Sequence, residues 1–158
     1  MSGSRTRGGV MKNVTKILVP TDFSEYSARA LSRGVDIAKQ NGAEIVLLHV
    51  VDQDIQACTM DYCMQEEEVE KQRKVMLDGA RDRVRKEAAT LSSSGEIKIS
   101  AEVVEGIPYE EILKFQDLNK VDLIVIATHG KSALAKYFLG SVSSNVLKGA
   151  KSEVLLVR

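Results

Sequence analysis

Between Leu123 and Ser144 the chain places an apolar strand, a turn at Thr128-His129-Gly130, and a Gly140-Ser141 pair that opens another helix. Those residue types, in that order, are what an anion needs. Gly130 brings the backbone to a ligand with no side chain in the way, and Gly140 and Ser141 sit where the first amide hydrogens of a helix lack carbonyl partners. Together with the helix dipole, such donors favour a phosphate. Gly130-Lys131-Ser132 looks like the end of a P-loop, but that loop requires a glycine where Val125 stands. The dinucleotide fingerprint G-x-G-x-x-G is missing too.

The elements that must position these groups follow from hydrophobic periodicity. Lys16 to Val19 is a short strand ended by Pro20. Ser24 caps a helix expected to run to about Gln40, with Ala28, Leu31, Val35 and Ala38 on its apolar face and Gly42 as its stop. Glu44 to Val50 is the second strand, and residues 52–64 form an unusually long connection. A helix from about Gln65 to Leu91 carries Val69, Met76, Ala80, Val84, Ala88 and Leu91 as its buried stripe. Its other faces are charged and read as solvated; Glu70 with Lys74 and Asp82 with Lys86 have the acid-first spacing that contributes about 0.3 kcal/mol per pair. Ser92 to Gly95 makes the turn out of it. Lys98 to Val104 is the third strand, Pro108 opens a helix to about Leu118, and Leu123 to Ala127 is the fourth strand. The last helix runs from Gly140-Ser141 to near Gly149, and Val154 to Val157 is the fifth strand. Five strands alternating with about four helices predict an α/β fold, an open parallel sheet covered on both faces.

Composition narrows the function classes. At 158 residues and 44% hydrophobic content, residues 14–158 are expected to form one domain with an ordinary core. Met1 to Asn13 lacks the apolar stretch of a signal peptide and is expected to be a disordered arm. Lysine plus arginine and aspartate plus glutamate number 22 each, so no overall basic field recommends nucleic acid or an acidic membrane as partner. The apolar runs fall far short of a bilayer span of roughly 20 residues. With only Cys58 and Cys63 and no export signal, a cytoplasmic protein with reduced thiols is expected. A lone Cys-x-x-x-x-Cys pair is a poor metal signal; with Met60 and Met64 it suits a lid or subunit contact. His129 has no carboxylate or serine fixed near it by sequence and reads as loop packing, and His49, inside a strand, as structural.

Four pieces resemble the universal stress protein family: Ile17-Leu-Val-Pro-Thr-Asp-Phe-Ser24, Val46-Leu-Leu-His-Val50, Gly106-Ile-Pro108, and Gly130 followed after nine residues by Gly140-Ser141. The family's nucleotide-binding members carry Gly-x-x-Gly, nine residues, then Gly with Ser or Thr; here Ala127 replaces the first glycine. The resemblance spans residues 14 to 158 and implies a Rossmann-like sheet of order 3-2-1-4-5, with ATP as ligand. In such a sheet ligands bind outside the carboxyl ends of the strands where the order reverses. It further implies that Val50 holds the adenine through main-chain groups, and that Pro20, Thr21 and Asp22 lie along base and ribose or reach the phosphates through a metal ion. Ile126 and Ala127 border the site at the end of the fourth strand. Gly130, Gly140, Ser141 and Val142 would supply amide hydrogens, the hydroxyls of Ser141 and Ser143 further bonds, and Lys131 a point charge. Mg²⁺ is expected with the triphosphate. The function implied is a nucleotide-dependent regulatory or stress-response module with little or no hydrolysis and an unknown protein client. A slow ATP hydrolase and a dimeric scaffold that has lost the nucleotide, through the added methyl of Ala127, are the alternatives. A homodimer through Val154 to Val157 is also implied, and pairing would cover an apolar edge that is hazardous in a monomer.

Overall fold

A computed structural model of the chain describes residues 13–52, 66–92, 95–130 and 139–158. The expected arm up to residue 12, most of the 52–64 connection with Cys58 and Cys63, and Lys131 lie outside the described residues. The elements are β1 (Lys16–Pro20), α1 (Glu25–Asn41), β2 (Glu44–Asp52), α2 (Glu66–Ser92), β3 (Ile99–Gly106), α3 (Pro108–Asn119), β4 (Leu123–Ala127), α4 (Ser141–Gly149) and β5 (Glu153–Val157). Every strand pairing is parallel, and the order is β3-β2-β1-β4-β5, as the resemblance implied. β2 and β3 run two residues further than expected because Val51 pairs with Glu105 and Asp52 with Gly106.

The strand period of two divides the core between the faces of the sheet. Ile17, Val19, Ile45, Leu47, Val125 and Ala127 pack with Leu31 and Val35 of α1 and Val84 and Ala88 of α2. Leu18, Val46, Leu48, Ile124 and Ile126 pack with Ile112 of α3 and Val146 of α4. β4 is buried at every residue, which is why it reads as an unbroken apolar run rather than an alternating one.

Two details of the helices differ from expectation. Ala28 is exposed, and the buried face of α1 is Ser27, Ala30, Leu31, Gly34, Val35 and Ala38. Ser27 takes the inward position because its hydroxyl is satisfied by Ser24 O at 2.9 Å and Thr21 Oγ1 at 3.1 Å. In α2 only Val84 and Ala88 are fully buried, and Met76 is 39% exposed. A helix of 27 residues rises about 40 Å, while the eight residues of β3 rise about 26 Å, so the first turns of α2 outrun the sheet. The expected pairs of Glu70 with Lys74 and Asp82 with Lys86 are not formed. Arg73 draws Glu70 to it at 3.3 Å while forking onto Glu105 of β3, and Asp78 meets Arg81 at 3.0 Å.

The amino ends of the strands are tied by side chains. Asp122 Oδ2 accepts from Thr15 N, Thr15 Oγ1 and Lys16 N at 2.8–3.1 Å, joining the entry to β1 with that to β4. Gln116 Oε1, on a residue only 3% exposed, accepts from Lys151 N, Ser152 N and Ser152 Oγ and so fixes the entry to β5. Among the described residues no helix is long and apolar enough to cross a membrane.

Candidate functional site

The carboxyl ends of β1, β2 and β4 open into one cleft of about 350 Å³, at the β1/β4 boundary where the strand order reverses. Its apolar lining is Pro20, Leu48, Val50, Pro108, Ile112, Ile126 and Val142. The rest of its lining is Thr21, Asp22, Ser27, Ala127, His129, Gly130, Gly140, Ser141 and Ser143. Every described residue among those expected at the site from the sequence thus lines this cleft. Leu48, Ser27, Pro108 and Ile112 were not anticipated. Leu48 carries a readable signal, since it precedes Val50 by two on a strand and shares its face. Ile112 lies one helical turn after Pro108, which the sequence marks as the start of α3.

Gly130 and Gly140 matter for what a side chain would meet. A Cβ on Gly130 would stand 2.6 Å from Asp22 Oδ2, so only glycine lets that carboxylate reach across the cleft. A Cβ on Gly140 would stand 3.2 Å from the carbonyl oxygen of Thr128. The tightness at Gly140 has a cause that corrects its expected role. Its amide donates to Thr128 O at 2.7 Å, closing the loop instead of facing a ligand. The Ser143 hydroxyl is likewise engaged, donating to Thr128 O at 3.1 Å and Gly140 O at 3.0 Å. The anion donors of α4 are therefore the amides of Ser141, Val142 and Ser143, in the first turn where no helical carbonyl reaches them.

Thr21 is corrected in the same way. It is 5% exposed, and its hydroxyl accepts from Phe23 N at 3.1 Å and meets Ser27 Oγ at 3.1 Å and Glu87 Oε2 at 3.5 Å. It braces the turn after β1. Phe23 takes φ 62° there, a left-handed conformation that costs a bulky residue about 1–3 kcal/mol. Asp22 Oδ1 accepts from Ser24 N at 3.0 Å, which orients the carboxylate. Burial holds the Glu87 carboxyl above its ordinary value, opposed by the Thr21 hydroxyl and Arg83 and reinforced by the charge of Asp22.

The histidines divide. His49 Nδ1 bonds Thr21 O at 2.8 Å and its ring packs against Phe23 at a tilt of 37°, in keeping with a structural role. His129 Nδ1 bonds Thr128 Oγ1 at 2.8 Å, and its ring lies 5.7 Å from that of Tyr26. His129 Nε2 is the buried side-chain nitrogen or oxygen without a hydrogen-bond partner among the described residues. Ala127 lines the cleft, but its methyl packs in the α1-side core cluster and the residue is 7% exposed. The carbon that departs from the family pattern is taken up by the core. Among the described residues no group of three or more His, Cys, Asp or Glu is arranged to hold a metal ion. A Mg²⁺ ion would therefore fit here only as the companion of a phosphate chain, with Asp22 beside it.

The sequence model of the Universal stress protein family matches residues 13–158. Universal stress protein MJ0577 of Methanocaldococcus jannaschii is 35% identical over 153 residues, covering 90% of this chain and 94% of the relative. The solved structure of MJ0577 superposes with a TM-score of 0.80, covering 92% of this chain and 96% of that one. MJ0531 of the same organism is 34% identical over 143 residues, covering 90% of this chain and 81% of the relative. A universal stress protein solved in complex with cAMP is 24% identical, with a TM-score of 0.64 over 93% of this chain and 98% of that one, a likeness of fold. Motifs, strand order, cleft and relatives agree: the chain belongs to the universal stress protein family.

Proposed function

We propose that the chain is a nucleotide-binding regulatory module whose ligand is an adenine nucleotide, ATP with Mg²⁺ in the first instance. The observation that carries this reading is the meeting of Gly130, Gly140 and the first turn of α4 with Asp22 in one cleft that is also lined by Leu48, Val50 and Ile112. The base would lie at the Val50, Leu48 and Ile112 end, with main-chain groups of Val50 as its polar contacts. The phosphates would take the amides of Gly130, Ser141, Val142 and Ser143. Asp22 repels a bare phosphate, so a triphosphate reaches it through a divalent cation, which when bound supplies the charge neutralisation between them. A relative of the same fold holds cAMP, an adenine nucleotide with one phosphate, which supports the class of ligand.

Catalysis is a small part of this reading. His129 Nδ1 bonds Thr128 Oγ1 and Asp22 Oδ1 accepts from the amide of Ser24, so each side chain is oriented within its own turn. The module would work in the cytoplasm as a dimer of 14–158 domains joined through β5. That strand pairs with β4 on one side and presents the half-buried Val154, Leu155, Leu156 and Val157 at the edge of the sheet.

The test is denaturing extraction of freshly purified protein with chromatographic identification of what is released. Recovery of ATP or another adenine nucleotide in proportion to protein supports the reading. Release of no nucleotide, together with no uptake of added ATP and Mg²⁺, contradicts it and leaves the fold as a scaffold.

A further inference from the structure

Three side chains outside the cleft converge on the turn Thr21-Asp22-Phe23. Phe23 holds φ 62°, a conformation that a bulky aromatic keeps only when its surroundings enforce it. Its ring is gripped from two directions: the His49 ring lies 4.4 Å away between centroids, and the Arg83 guanidinium carbon lies 4.1 Å from its centroid. The backbone is tied as well. Phe23 N donates to Thr21 Oγ1 at 3.1 Å, His49 Nδ1 meets Thr21 O at 2.8 Å, and Glu87 Oε2 lies 3.5 Å from the Thr21 hydroxyl. Arg83 and Glu87 are one turn apart on α2, a helix that contributes no residue to the cleft wall. Asp22 stands between the two residues so held, with its Oδ2 beside Gly130.

We infer that Arg83 is a positioning residue for the cleft, holding Phe23 in its left-handed conformation so that the Asp22 carboxylate is aimed at the phosphate end. The inference rests on the nucleotide reading and adds α2 to the site. Without the cation over its face, Phe23 relaxes toward the ordinary right-handed or extended regions, and the peptide it shares with Asp22 turns with it. Arg83 does not line the cleft, so its effect is expected to pass through Asp22. His49 and Glu87 brace the same turn from β2 and from the next turn of α2.

The test is a double-mutant cycle on the full chain, stripped of nucleotide, with MgATP titrated by calorimetry and thermal midpoints measured alongside to verify folding. Arg83→Ala is expected to weaken MgATP binding about tenfold. Arg83→Lys, which keeps a cation over the ring, is expected to stay within about threefold of the parent. In an Asp22→Ala background Arg83→Ala is expected to cost nothing further, because the group it positions is gone. Adenosine, which lacks phosphate, is expected to bind parent and Arg83→Ala alike. MgATP affinity unchanged by Arg83→Ala, or an equal loss with and without Asp22, overturns this inference alone. A parent chain that binds no MgATP overturns the nucleotide reading and this inference with it.

Discussion

The two ends of the sheet are built from the same strands and solve opposite problems. At the amino end, Asp122 and Gln116 each gather three donors, and Glu44 sits between Lys16 and Lys98 at 3.1 Å each, so backbone and charge are closed within the chain. At the carboxyl end, a bulky residue sits at positive φ, two glycines stand where a Cβ would crowd Asp22 and Thr128, a helix turns its first amides outward, and among the described residues His129 Nε2 is buried without a partner. Strain and unmet hydrogen bonds cost stability wherever they occur. The amino end has a left-handed residue of its own, Lys120 at φ 52°, but its amide is bonded to Gln116 O as the cap of α3, whereas the unmet groups gather at the carboxyl end, where a ligand would complete them.

That contrast can be broken from either side. The largest effect is expected from Gly140→Val, whose branched carbon would press on Thr128 O: a loss of MgATP binding of about a hundredfold, equivalent to about 2.7 kcal/mol, read by calorimetry. Gln116→Leu should do the reverse, leaving binding intact while the part-buried amides of Lys151 and Ser152 lose their acceptor. Urea denaturation should register about 1–2 kcal/mol of lost stability. Asp22→Asn is expected to weaken MgATP about tenfold and to strengthen binding relative to the parent when the titration is repeated with EDTA and no Mg²⁺, since a neutral amide no longer repels bare phosphate.

How far the site was legible follows from what kind of signal each residue leaves. Gly130, Gly140, Ser141 and Pro20-Thr21-Asp22 announce themselves because turns and helix starts demand particular residue types, and the structure gathers them at one cleft. The strand order was not readable from periodicity and came from the resemblance. Side-chain direction was less legible. Thr21 and Ser143 look like ligand hydroxyls in a sequence, yet both are turned to backbone and scaffold, because a buried hydroxyl takes the nearest partner that the fold offers. Arg83 and Glu87 were hidden for a different reason. On a helix with so many charges, nothing in the sequence marks the two that reach the β1 turn, and only the packing of α2 beside that turn selects them. The exposed Met76 was misread because an apolar stripe does not say where the sheet beneath it ends.

Smaller effects sharpen the same picture. With the Glu87 carboxyl raised by burial, the folded chain holds a proton that the unfolded chain releases just above the ordinary value of 4.5. Its contribution to stability is thus complete below 4.5 and is lost as pH rises to the folded value. Glu44 and Asp117, lowered chiefly by hydrogen bonds from Lys16 and from Lys151, run the other way and lose their contribution on acidification. Glu87→Gln should therefore gain stability relative to the parent as pH climbs from 4.5, and identical urea midpoints across that range would contradict the burial of Glu87. Ala127→Gly is expected to change MgATP affinity by less than about threefold, because the methyl lies in the core cluster rather than in the cleft.

The most direct measurement is a calorimetric titration of MgATP into the stripped full chain, with the Gly140→Val variant as its partner. Saturable binding near one equivalent, with micromolar affinity in the parent and lost in the variant, is the expected result. Heats no larger than dilution up to millimolar MgATP in the parent, or equal affinities in parent and variant, would contradict the claim that the carboxyl end of this sheet is a nucleotide site.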